Sequence, residues 1–137
     1  MEVPPLLKSL IADGVWPSTP KESFALTMTI GRERVRAMAP EAHRIALYTP
    51  PFFTVWQRSA SNPFWNSAEG APDGLDPKRA LVIGDFGIGS DAPIVLDGRV
   101  GAPPPSVVRL RWGKVHNEWV EMTSSFPKFT MQLGLCR

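Results

Sequence analysis

Proline sets the strongest limit on how this chain can fold. Fifteen of its 137 residues are proline, with pairs at 4–5 and 50–51 and a triple at 103–105. A proline interrupts the hydrogen bonding of a helix interior or a central strand, and it disfavours helical backbone in the residue before it. Large apolar residues are nevertheless spread along the whole chain, which argues against disorder. The sequence therefore predicts short elements joined by rigid turns.

The N-terminal half favours short helices and short strands. Apolar residues recur at helical spacing after Pro4-Pro5, and Asp13-Gly14 ends that pattern. Pro40 limits a second helical stretch, since a helix does not run into a proline. The predicted elements are a helix over 6–11, a helix near 30–38 capped by Thr29, strands at 45–48 and 53–57, and a long connection over 58–78.

The C-terminal half favours strands followed by one helix. Residues 81–83 and 94–96 are continuous apolar runs, as in central strands buried on both faces. Residues 107–112 alternate, so Arg109 and Arg111 share one face of a strand, and 113–117 forms a hairpin loop into a strand over 118–123. Ser125 caps a final helix that Gly134 ends. We expect a single α+β domain over residues 1–137, with a mostly antiparallel sheet of five to six strands packed against short N- and C-terminal helices.

Charge and patterning narrow the class of protein. The formal net charge of +2 is too small to indicate a nucleic-acid partner. No apolar run approaches the roughly 20 residues of a membrane span, and the N-terminus lacks the basic and apolar regions of a secretory signal. The single cysteine, Cys136, cannot form an internal disulfide. We expect a soluble cytoplasmic protein.

The glycine-rich segment 84–91 is the most distinctive in the chain. Asp85-Phe86-Gly87 matches the magnesium-binding tripeptide of protein kinases, but the lysine strand and catalytic loop of a kinase are absent from the sequence. The glycines do not have the spacing of a phosphate-binding loop either. The segment is best interpreted as a structural turn between two central strands. A ligand or metal role for Asp85 and Asp91 is the alternative.

The chain offers little for catalysis. His43, His116 and Cys136 are its only histidines and cysteine, and their spacing suits neither a zinc site nor a nucleophile with an adjacent base. We therefore expect no catalytic residues, no metal and no cofactor.

Aromatic residues in polar surroundings are the candidates for binding a partner. Phe64 and Trp65 lie together in the long polar connection, with Trp56 nearby, and they either plug the core or form an exposed anchor. Arg109 and Arg111 either meet phosphate or border solvent opposite the core. The partner-binding candidates are Phe64, Trp65, Trp56, Asp85 and Asp91. Self-association through an edge strand stays open.

Residues 83–97 resemble a signature of the SUKH superfamily, in which a Gly-Asp-x-Gly turn carries the chain between core strands. The similarity continues through a strand ending in Trp at 107–112, through Asn117-Glu118-Trp119-Val120 and through Ser125-Phe126-x-x-Phe129. It covers about residues 79–135. The N-terminal half departs from the family, because it lacks the Leu-Pro pair and Asn-Gly-Gly turn that open the family's domain.

The resemblance implies a sheet of five or six strands packed on helices, without catalytic residues. Many bacterial members of the family are immunity proteins that bind and silence a partner toxin, and fungal members are adaptors in cell-wall-synthesis signalling. We therefore expect a non-enzymatic protein-binding module, and specifically an immunity protein that binds and neutralises a partner toxin. The alternative is a ligand-binding or enzymatic domain that uses the turn at 84–91.

Overall fold

The computed structural model of the chain describes residues 3–59, 75–87, 92–98, 105–115 and 117–135. In these ranges five α-helices and a six-stranded antiparallel sheet form an α+β fold, which confirms the predicted class. The helices are α1 (Pro5–Ala12), α2 (Pro20–Thr29), α3 (Arg32–Met38), α4 (Val55–Ser59) and α5 (Phe126–Leu133). The strands are β1 (Ala46–Leu47), β2 (Phe53–Thr54), β3 (Ala80–Asp85), β4 (Pro93–Asp97), β5 (Ser106–Arg111) and β6 (Glu118–Thr123), with a 3-10 turn at Pro77–Arg79.

The sheet runs in the order β1-β3-β4-β5-β6, with every pairing antiparallel. The short strand β2 also pairs with β3, farther along the same edge, opposite Leu81 and Val82. One side of β3 is therefore covered by two short strands, β1 and β2, which are separated by the Pro50-Pro51 segment. The candidate binding site lies along this edge of the sheet.

The two faces of the sheet contribute to two buried clusters. Ile83 and Ile94 belong to the cluster beneath the helices, whereas their neighbours Val82 and Val95 belong to a second cluster on the opposite face. This confirms that β3 and β4 are central strands buried on both faces. Burying one such side chain contributes about 1.5–3 kcal/mol.

Both ends of the described chain meet in the helix-side cluster. Leu7 of α1 and Phe126 of α5 are fully buried there, and the ring of Phe126 lies 6.0 Å from that of Trp16, centroid to centroid. The final helix is as predicted: the Ser125 side chain accepts from the backbone N–H of Lys128, and Gly134 ends the helix in the left-handed region at φ 77°. The helices at the two ends thus share one core.

The prediction for the second helix was wrong in one respect, because the chain contains an additional helix, α2, before it. Thr29 is the last residue of α2 and does not cap α3, which begins after Gly31. The N-cap of α3 is Gly31, which makes no side-chain cap hydrogen bond, whereas Thr19 caps α2: its side chain accepts from the N–H of Glu22 at 3.2 Å. This helix start is recognisable in the sequence, because a Thr at the cap is followed by Pro at the first helical position and Glu at the third.

The strand predicted over 53–57 was also wrong beyond its first two residues, because the chain turns into α4 at Val55. A capping box explains this change. The Thr54 N–H donates to the Gln57 side chain at 2.9 Å, and the Gln57 N–H donates to the Thr54 hydroxyl at 3.2 Å. Trp56 therefore lies on a helix and not on the predicted strand.

Candidate protein-binding site

Helix α2 is unusual among the described helices because its residues include no buried one. It rests on the protein through the half-buried side chains of Ser23, Leu26 and Thr27. On its outer side Phe24 and Met28, which lie one helical turn apart, are 69% and 72% exposed. The helix therefore presents two adjacent large apolar side chains to solvent.

A groove separates α2 from the edge strand β1. The hydroxyl of Ser23 donates to the carbonyl of Leu47 at 2.5 Å and holds the helix beside the strand. The groove has a volume of about 650 Å³, and we call it the α2–β1 groove. Its lining includes Phe24, Met28, His43, Arg44, Leu47 and Tyr48. Its size lies within the range of about 300–1,000 Å³ that is usual for binding pockets.

The described part of the glycine-rich segment, residues 84–87, borders this groove. The Asp85 carboxylate accepts from the backbone N–H groups of Gly87 at 2.6 Å and Ala92 at 2.9 Å, and so joins the two ends of the turn. The Phe86 N–H donates to the carbonyl of Ala92 at 3.2 Å. Asp85 is therefore occupied in fixing the backbone, and Asp91, its predicted companion, lies outside the described residues.

Two glycines of the segment lie in close contacts around the groove. A Cβ atom on Gly84 would lie 2.7 Å from the carbonyl oxygen of Ala46, so the glycine allows β1 to approach β3. Gly87 has φ +61°, and a Cβ there would lie 3.1 Å from Nε of Arg44. The turn therefore shapes the groove in two ways: it admits the strand that forms its floor, and it leaves room for the arginine at its rim.

The groove carries the positive charge of Arg44. Its described lining residues include no aspartate or glutamate. Arg44 is exposed, and within the described ranges no carboxylate forms an ion pair with it. The Asp85 carboxylate, beside Gly87, is engaged by backbone donors.

A second hollow adjoins the groove along the β1–β2 edge. It has a volume of about 360 Å³, and it shares Tyr48 and Thr49 with the α2–β1 groove. Phe53 lines it and is 41% exposed, with the Arg58 guanidinium 4.8 Å from the centre of its ring. Large apolar side chains and cations therefore continue from the groove along this side of the sheet.

Trp56, which the sequence marked as a candidate, lies three residues beyond Phe53. It is 56% exposed, and Nζ of Lys78 lies 4.9 Å from the centre of one of its rings. Trp56 is therefore exposed and does not plug the core. Its predicted companions Phe64 and Trp65 lie outside the described residues.

The arginines on β5 differ from expectation. Arg109 is only 6% exposed, because Glu41 forms an ion pair with it and its guanidinium lies 5.9 Å from the ring centre of Phe86. Arg111 is exposed but paired with Glu118. The expectation that both arginines face solvent or phosphate is wrong for Arg109, because a connection between α3 and β1 covers that face of the strand.

Sequence reasoning missed Phe24, Met28 and Arg44, which carry the site. The apolar pair at i and i+4 is visible in the sequence, but it acquires meaning only once residues 20–29 are known to be helical. Arg44 has no local pattern around it that distinguishes it from other surface arginines.

The described residues contain no group of three or more His, Cys, Asp or Glu side chains placed to hold a metal ion. None of the helices described is both long and apolar enough to cross a membrane. Comparison of the chain with models of known families, with curated proteins and with solved structures gives no match.

Proposed function

We propose that this protein is a non-enzymatic protein-binding module whose contact surface is the α2–β1 groove together with the adjoining hollow. The observation that carries this proposal is the exposure of Phe24 and Met28 on a helix without a buried residue. Contiguous exposed apolar groups beside a concave surface are typical of interaction sites. An aromatic residue and a methionine also suit such a surface, because methionine adapts its shape to a partner.

The energetics favour a contact wider than the groove itself. Covering Phe24 and Met28 from their present exposure would contribute roughly 2–4 kcal/mol, taking about 1.5–3 kcal/mol for each fully buried side chain. Association costs an estimated 4–15 kcal/mol in lost freedom of motion. Additional anchors are therefore needed, and Phe53 and Trp56 along the same edge are the natural ones.

The more specific form of the proposal is an immunity protein, which would cover a toxin's active surface in the cytoplasm. It rests on the resemblance of residues 79–135 to the SUKH superfamily. A protein partner is favoured over nucleic acid because Arg109, one of the two arginines considered for phosphate contact, is engaged by Glu41.

Site-specific photo-crosslinking tests the proposal. A photoreactive phenylalanine analogue is placed at position 24 and, as a matched control, at position 131, where Met131 is 63% exposed on α5. We expect a protein adduct of discrete mass from position 24 in cells of the source organism, and none from position 131. Equal adducts from both positions, or none from position 24, would contradict the proposal.

The immunity version has its own test. If the crosslinked partner is toxic when expressed alone, co-expression of the wild-type chain should restore growth. A Phe24→Ser, Met28→Ser variant that remains folded should fail to do so. A partner without toxicity would remove the immunity version and leave the binding module in place.

A further inference from the structure

We infer that the α2–β1 groove selects a partner segment in which a carboxylate lies beside a large apolar side chain. This inference rests on the proposed function and adds the chemistry of the ligand. It follows from two features of the groove: its apolar wall, and Arg44 at its rim, which has no ion-pair partner among the described residues.

The apolar wall calls for an apolar side chain. Phe24 and Met28 stand one turn apart on α2, facing a floor that includes Leu47 of β1. An aliphatic or aromatic side chain placed against Phe24 and Met28 would remove apolar surface of both residues from water. A volume of about 650 Å³ leaves room for a short segment of a partner.

The rim calls for a carboxylate. Arg44 has no carboxylate partner among the described residues, and no described lining residue of the groove is acidic. A guanidinium presents paired N–H donors that match the two oxygens of a carboxylate, so it favours Asp, Glu or a chain terminus over a neutral group. The same positive rim would repel a basic segment.

A second copy of the chain does not fit the same surface. In a twofold dimer built on this face, each groove would meet an identical surface. Arg44 of each copy would then face a surface whose described lining contains the same cation and no acid. A different protein that supplies the carboxylate is therefore the favoured occupant.

Selection from a displayed library of random short peptides on the immobilised full chain tests the inference directly. We expect the enriched peptides to contain Asp or Glu next to Leu, Ile, Met or Phe. For a synthesised peptide, Arg44→Gln should weaken binding by about fivefold, and Phe24→Ser by about tenfold. Arg36→Gln and Met131→Ser, at exposed positions outside the groove, should leave the affinity unchanged.

A double-mutant cycle locates the contact. Replacing the peptide's carboxylate by its amide should weaken binding to the wild-type chain and have little further effect on Arg44→Gln, because the two groups interact. Arg44→Lys should recover part of the loss, and the wild-type affinity should fall as salt is raised. Equal melting temperatures of the variants would show that folding is unaffected.

The outcomes separate the inference from the proposed function. Peptides that need Phe24 but bind Arg44→Gln as well as they bind the wild type would overturn the inference and leave a protein-binding groove. Enrichment of basic peptides would also overturn the inference. So would a selection in which every enriched peptide binds Phe24→Ser as well as it binds the wild type. Loss of the crosslink from position 24 is a separate measurement and counts against the proposed function.

Discussion

Replacing Gly84 by alanine tests how the glycine-rich segment supports the site. An added Cβ would lie 2.7 Å from the carbonyl oxygen of Ala46, whereas carbon and oxygen in contact are ordinarily about 3.3–3.6 Å apart. Its other neighbours, in the side chains of Leu47 and Ile94, are at ordinary distances of 3.5 and 3.6 Å. Strand β1 would therefore have to move away from β3 by about 0.6 Å or more.

The sign of the effect decides between two explanations of this glycine. Gly84 does not have a positive φ, so an alanine without steric conflict would stabilise the protein by about 0.4–1 kcal/mol through the unfolded chain. Overpacking against a backbone atom costs about 1–3 kcal/mol. The midpoints of these two ranges, about 2 and about 0.7 kcal/mol, differ by about 1.3 kcal/mol, so we expect a net destabilisation of about 1–2 kcal/mol.

Urea unfolding followed by circular dichroism measures this change, with the midpoint falling by about 0.5–1 M for a slope near 2 kcal/mol/M. Hydrogen exchange adds a local readout, because the Tyr48 N–H donates to the Ile83 carbonyl at 2.8 Å and should lose protection. Gly31→Ala, where a Cβ meets nothing within 4 Å, should leave that amide unchanged. A stabilised Gly84→Ala protein with normal protection at Tyr48 would refute the reasoning.

Three further predictions concern the turn and the helix ends. Asp85→Asn should lower the free energy of unfolding by about 1–3 kcal/mol, since the amide cannot accept both backbone N–H bonds as a carboxylate does; unchanged stability in urea would contradict this assignment. Gly134→Ala should lower the free energy of unfolding by about 1–2 kcal/mol, because residue 134 has a left-handed backbone. The added Cβ would also overlap the guanidinium of Arg34, and adding Arg34→Ala to the same chain should relieve only that overlap. Full recovery of the melting temperature in the double variant would count against backbone strain. The pKa of Glu22 lies below its ordinary value, chiefly because the backbone N–H of Ser18 donates to it. The contribution of the ionised Glu22 carboxylate to stability should therefore be complete above its ordinary pKa and should disappear as the pH falls through its lowered pKa. A carbon-13 titration that finds the ordinary pKa for Glu22 would contradict this prediction.

The sequence by itself determined the elements whose signals are local and strong. The apolar runs in β3 and β4 are long enough, and placed closely enough together, to require central strands. Ser125 and Gly134 define both ends of α5 by side-chain and backbone preferences that act within one turn. The character of the turn at Asp85 was also predictable, because glycines beside an aspartate indicate a special backbone with a side chain that can cap it.

The tertiary structure alone decided where the site lies. Helix α2 has no apolar stripe that announces a buried face, and it exists because a cap begins it and β1 lies beside it. Arg109 reads as a surface residue in its strand, yet Glu41, distant in sequence, covers and neutralises it. Arg44 becomes significant only because Gly87 folds against it. Alternation and helical spacing describe neighbours along the chain, whereas a groove depends on which distant segments meet, and that is settled by packing.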